Sequence, residues 1–217
     1  MVYLYGADVT HLPDPKECPE IMKNLPEERK NKILKNAKQK KRQESLGAGL
    51  LLEYVLKLHR LEETKISYGE NGKPYMDGVY FNLSHSHGKV ICAVGKKEVG
   101  CDIEKIKRDE NTLLRIADRF FCANEQFHLN KFQGSKKEDE FYRLWTMKES
   151  YMKWTGEGMQ LSLNQFEIVM GEKILIKRDG EIAPCHFREY EIPDYKVSVC
   201  AGEAEFADYA DVTMNLI

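Results

Sequence analysis

What the 217-residue chain lacks narrows its class before any motif is read. No apolar run approaches the roughly 20 residues that a membrane-spanning helix needs, which argues against a helical membrane protein. The opening stretch "MVYLYGADVT" has no basic start followed by an apolar segment, so no secretory signal is expected. None of the six cysteines, at positions 18, 92, 101, 122, 185 and 200, forms a C-x-x-C pair. Cys92, Cys101 and Cys200 lie in apolar runs, where cysteine acts as a small buried hydrophobe. Reduced thiols in a cytoplasmic protein are the expectation. Neither sign of charge dominates: 33 Lys and Arg against 35 Asp and Glu leave a formal net charge of -2. The chain as a whole carries no bias toward nucleic acid or a membrane surface. No clear repeat is visible.

What is present is an ordinary globular balance, 42% hydrophobic and 31% charged, long enough for one large or two small domains. Val2, Leu4 and Gly6 alternate as a first strand. After a proline-punctuated loop, Pro26, Glu27 and Glu28 suit the first turn of a helix. Helical spacing then runs through Ile33, Leu34 and Ala37 to Leu46, Leu50, Leu51, Val55 and Leu58. Gly47 and Gly49 mark either a break or close packing in it. Turn signals at Asn71-Gly72 and Asp77-Gly78 open a β region in which "VYFNLS", "KVICAV" and "EVGCDI" read as strands. Helical pattern returns from 109 to about 131, a polar linker "KFQGSKKEDE" follows, and "DEFYRLWTMKESYMKW" is an amphipathic helix stopped by Gly156 and Gly158. Four alternating runs at 164–201 read as strands. The order predicts an α+β fold in two halves, 1–106 and 107–217.

Four constellations bear chemistry. Asp102 and Glu104 in "VGCDIEKI" share one face of a strand, since side chains alternate with period two. Two acids that close repel. Either they end a solvated strand, or a divalent cation with oxygen ligands sits between them. In "WTMKESYMKW", Glu149 and Lys153 lie one helical turn apart, as a surface ion pair or as a third carboxylate with a phosphate-seeking lysine. Trp145, one turn earlier on that face, favours a partly buried position. In "FNLSHSHG", Ser84 and His85 end a strand facing a turn, where they could donate to a phosphate; His85 and His87 form an H-x-H pair that could also be a zinc site. The basic run 29–42 is either a solvated helix face or a surface for phosphate or an acidic protein.

In order, "GKP", "FNLSHS", "VGCDIE", "RFF" followed by Glu125, and "FYRLWTMKESYMKWTGEG" resemble the signature series of the 4′-phosphopantetheinyl transferase superfamily. The closest resemblance is to its larger, surfactin-synthetase-activating type, a single-chain pseudo-dimer of two similar α/β halves. The motifs span roughly 72–160, and length and basic helix extend the likeness over most of the chain.

The resemblance implies transfer of the 4′-phosphopantetheine arm of coenzyme A to a serine of an apo acyl or peptidyl carrier protein, releasing adenosine 3′,5′-bisphosphate. It implies Asp102, Glu104 and Glu149 as Mg²⁺ ligands. Lys153, with Lys148 beside it, would neutralise phosphate charge. Lys73, Ser84 and His85 match coenzyme A contacts, and Glu149 and Glu125 are the two candidates for the base. Arg29 and Lys32 fit the early positions of a basic helix that holds the 3′-phosphate. A later family arginine aligns with Glu44, leaving Arg42 or Lys41 to stand in for it. A functional monomer is implied, with coenzyme A in a cleft between the halves. Two other readings stand beside this one: a metal-dependent hydrolase built on His85, His87, Asp102 and Glu104, and a non-catalytic coenzyme A or carrier-protein binder.

Overall fold

The computed structural model describes residues 1–61 and 65–216. It is a mixed α+β protein, as expected, arranged in four layers. Helices α1 (Glu27–Leu34) and α2 (Gln39–Leu58) cover one face of a six-stranded sheet. That sheet runs β12-β1-β5-β4-β3-β2, formed by Phe206–Asp211, Val2–Asp8, Lys89–Gly95, Val79–Ser86, Pro74–Met76 and Ser67–Tyr68. Its other face packs on a three-stranded sheet, β10-β11-β6, formed by His186–Ile192, Tyr195–Ala201 and Val99–Lys105. The outer layer holds α3 (Glu110–Phe120), α4 (Ala123–Leu129) and α5 (Ser135–Thr155), with a small sheet of β7 (Phe166–Val169), β8 (Leu175–Arg178) and β9 (Glu181–Ile182).

The sandwich explains why β5 reads as a continuous apolar run. Val90, Cys92 and Val94 point into the helix-side core, while Ile91 and Ala93 point at the second sheet. A strand buried on both faces needs no polar alternation. Both edges of β5 are already paired, with β1 and with β4. The next strand, β6, has no edge to join there, so it crosses to the second sheet and pairs with β11. The last strand, β12, crosses the other way and pairs in parallel with β1. Strand pairing thus crosses residue 106 in both directions.

Two glycines set how closely layers meet. The α2 helix runs unbroken through Gly47, where a Cβ would lie 2.4 Å from Val9 Cγ1, so close packing and not a break is the reason for that glycine. At Gly100 of β6, a Cβ would lie 2.1 Å from the Ser150 carbonyl oxygen and 2.4 Å from the Trp154 nitrogen. Only a bare backbone lets α5 rest on β6 there. That contact brings two motifs, far apart in sequence, onto one another. The α5 helix also begins inside the expected polar linker, at Ser135, and ends on Gly156 in the left-handed conformation (φ 72°).

Candidate active site

The site forms where β4, β6 and α5 meet. The free edge of β6 faces three side chains of β4 spaced by two: Asn82, Ser84 and Ser86, all buried. The Asn82 side-chain oxygen accepts from the Cys101 backbone N–H at 3.0 Å, and Ser86 Oγ accepts from that of Lys105 at 3.2 Å. The serines also meet the acids in register. Ser84 Oγ donates to Asp102 Oδ1 at 2.8 Å, and Ser86 Oγ donates to Glu104 Oε2 at 2.8 Å. The period of two in "SHS" therefore matches the period of two in "DIE". Ser86 was not among the expected site residues, and that shared period was the signal that could have found it.

From α5, Lys153 reaches the same place. Its Nζ donates to Asp102 Oδ1 at 2.7 Å, to Ser84 Oγ at 3.1 Å and to the Cys101 carbonyl at 3.1 Å. Burial raises the pKa of Glu149 to about 7, with the charges of Asp102 and Glu104 adding to the effect and Lys153 opposing it. Burial, followed by the charge of Asp102, likewise raises Glu104. The charges of three carboxylates thus act on one another around one ammonium. Asp102 Oδ2 is buried and accepts no hydrogen bond among the described residues. An all-oxygen donor set short of positive charge, with one orphaned buried oxygen, fits a hard dication such as Mg²⁺. The described residues contain no group of three His, Cys, Asp or Glu side chains already drawn together for a metal. Lys153, not a closed cage, holds Asp102.

Lys73 sits beside the cluster, at the end of α5. Its ammonium donates to the Trp154 carbonyl at 2.8 Å, and burial lowers its pKa to about 8. Asn71 of the same turn donates to the Gly156 carbonyl at 3.1 Å, so the "NGKP" turn closes the C-terminal end of the helix. His85, next to Ser84, points to the opposite face of β4. Its Nδ1 lies 3.2 Å from Oε2 of the buried Glu44 on α2. The four-residue set His85, His87, Asp102 and Glu104 does not converge, because strand alternation sends His85 away from the acids. His87 occupies a left-handed turn position (φ 47°) and hydrogen-bonds Ser86.

Three expected site residues are placed elsewhere. Glu125 and Lys148 are fully buried in the outer layer and paired with each other at 2.7 Å. Glu125 accepts from the backbone N–H groups of Cys122 and Ile168, and Lys148 donates to the Phe166 carbonyl. Neighbours on a helix point about 100° apart, so Lys148 faces the core while Glu149 faces the cluster. In this structure the two side chains are spent on each other and on nearby backbone, not on Asp102. Arg42 is likewise committed: its guanidinium binds both oxygens of Asp14 and the carbonyls of Asn36 and Ala37. It holds the bend between α1 and α2 and is not free for a phosphate. Arg29 donates to the Ser45 carbonyl, and Lys32 is exposed on α1. Lys41 is bonded to Glu44 at 2.8 Å.

With this geometry in hand, comparison with known proteins is decisive. Residues 98–200 match the family model described as "ACPS: 4'-phosphopantetheinyl transferase superfamily". A 4'-phosphopantetheinyl transferase of Bacillus subtilis is 36% identical over 177 residues, covering 75% of this chain and 75% of its own. The chain belongs to the 4′-phosphopantetheinyl transferase superfamily. The transferase Sfp of Bacillus subtilis (strain 168) is 35% identical over 177 residues, covering 78% of this chain and 77% of that one. A solved holo-(acyl-carrier-protein) synthase from Bacillus anthracis str. Ames, in complex with CoA (3',5'-ADP), matches half of this chain at 20% identity with a TM-score of 0.43. The matched family segment contains β6 and α5, the two elements that carry Asp102, Glu104, Glu149 and Lys153 of this transferase.

Proposed function

We propose that this enzyme transfers the 4′-phosphopantetheine arm of coenzyme A to a serine hydroxyl of an apo carrier protein, acyl or peptidyl, in a Mg²⁺-dependent reaction that releases adenosine 3′,5′-bisphosphate. The single observation that carries the reading is the Lys153–Asp102 contact, where α5 meets the strand that carries Asp102 and Glu104, in a chain of this family. Asp102, Glu104 and Glu149 would hold the metal. When bound, Mg²⁺ polarises the phosphoanhydride and neutralises charge on the leaving phosphate.

The remaining steps belong to the side chains. Lys153 donates to phosphate oxygens as negative charge shifts toward the leaving group. Glu149 accepts the proton of the carrier serine as its oxygen bonds to phosphorus and the pyrophosphate bridge breaks. Ser84 and Ser86 keep the two strand acids aimed into the cleft. The nucleophile comes from the partner, so the chain needs no catalytic serine of its own. Holding phosphorus and hydroxyl together, with charge neutralised in place, supplies most of the acceleration. A monomer suffices, because one chain provides both walls of the cleft.

The test mixes the enzyme, Mg²⁺, coenzyme A and an apo carrier and weighs the carrier by mass spectrometry. The reading expects a gain of one phosphopantetheinyl group on the serine, lost when a chelator is added. No gain on any of several acyl and peptidyl carriers would contradict it.

A further inference from the structure

The donor geometry of Lys153 raises a question that its proposed phosphate role leaves open. A lysine ammonium has three N–H donors. All three of Lys153 are engaged, with Asp102 Oδ1, Ser84 Oγ and the Cys101 carbonyl. Asp102 Oδ1 takes two donors, from Lys153 and Ser84, while Oδ2 takes none and is buried. A metal arriving at Oδ2 would share one carboxylate with an ammonium already on Oδ1, and like charges that close oppose each other. The Lys153 side chain is 26% exposed, so an anionic group from solvent can reach it.

We infer that Lys153 is the internal counter-cation of the acid cluster and competes with the metal for Asp102. It moves off the carboxylate when a phosphate-bearing substrate offers it new partners. Metal and coenzyme A then bind as a coupled pair, and metal alone binds weakly. The inference rests on the transferase reading of the site. A metal that also engaged the substrate's phosphates would couple the two ligands by itself; the share due to Lys153 is the part that disappears when the ammonium is removed.

The experiment measures Mn²⁺ affinity by electron paramagnetic resonance, with and without coenzyme A, for the wild type, Lys153→Met and Lys153→Gln. Removing the ammonium should tighten binding of Mn²⁺ alone by about tenfold, within the range usual for coupled sites, and should shrink the tightening that coenzyme A brings. Equal Mn²⁺ affinity in wild type and variants would overturn the inference. Asp102→Asn separates the two levels. If it abolishes Mn²⁺ binding while the Lys153 variants match the wild type, the metal site stands and only this inference fails. If Mn²⁺ binding is indifferent to Asp102, both fail. A readout that needs no variant is the ¹³Cε signal of Lys153 in labelled wild-type enzyme. At a Mg²⁺ concentration too low to fill the site alone it should hold still, and it should shift when coenzyme A follows. A signal that stays put with Mg²⁺ and coenzyme A both bound would overturn the inference.

Discussion

The molecule contains two lysine–carboxylate pairs of the same length, supplied by one helix, that do opposite things. Lys148 and Glu125 are 2.7 Å apart and Lys153 and Asp102 are 2.7 Å apart, both lysines coming from α5. The first pair is closed. Both residues are sealed from solvent, both oxygens of Glu125 are bonded, and the ammonium also finds the Phe166 carbonyl. The second pair is open, with one carboxylate oxygen unpartnered and the charges of two further acids acting on it. The difference teaches that a buried ion pair is structural when its hydrogen-bonding capacity is met. Unmet capacity next to a side chain that solvent can reach is what a ligand can use.

The sharpest way to break this comparison is at the open pair. Asp102→Ala should lower kcat/KM for transfer by at least about 10³-fold, measured by carrier mass spectrometry, with the thermal midpoint little changed. At the closed pair the expectation reverses. Lys148→Met leaves the Glu125 charge buried without its cation and should cost about 3–5 kcal/mol in denaturant unfolding. A double Glu125→Gln, Lys148→Met variant should recover part of that loss, since it removes both charges while the amide oxygen keeps an acceptor for the backbone N–H groups. Gly100→Ala tests the contact that unites β6 and α5. Its Cβ would meet helix backbone, which cannot rotate away, so about 1–3 kcal/mol of stability should be lost together with activity.

Smaller effects sharpen the picture. Ser86→Ala removes the donor on Glu104 and should raise the Mg²⁺ concentration for half-maximal rate up to about tenfold, while Ser86→Thr restores it. A plain folding defect would lower kcat or the thermal midpoint instead. Glu44 offers a pH test away from the cluster. Burial raises its proton affinity, but His85 and Lys41 outweigh burial and hold its pKa down to about 2, against an ordinary 4.5. A folded pKa below the unfolded one stabilises the protein fully above the unfolded value and loses that contribution as pH falls toward the folded one. Stability should therefore fall between about pH 4.5 and 2, and Glu44→Gln should flatten that slope, read from thermal melts across the range.

How far the sequence could be read follows the same divide between local spacing and distant contact. The shared face of Asp102 and Glu104 and the shared face of Glu149 and Lys153 are consequences of periods 2 and 3.6, so both were legible. The mixed α+β class, the α2 and α5 helices and most strands followed from periodicity and turn residues. The burial of Lys148 and Glu125 did not, because no local pattern says which side of an amphipathic helix meets another layer. The Asp14–Arg42 pair joins residues 28 apart, and a basic run carries no mark that one of its members is locked. Nor did β12 stand out, since "FADYAD" is an only half-buried edge strand whose pairing with β1 is long-range.

The central claim is that openness, not pairing, marks the cluster proposed to be catalytic. It is tested most directly by Asp102→Asn and Glu125→Gln side by side, each neutralising one carboxylate with little change of shape. Carrier modification and thermal midpoint are measured on the same preparations. The account predicts that Asp102→Asn loses transfer and keeps its melting temperature, while folded Glu125→Gln keeps transfer and melts markedly lower. Transfer that survives in Asp102→Asn but vanishes in folded Glu125→Gln would contradict it.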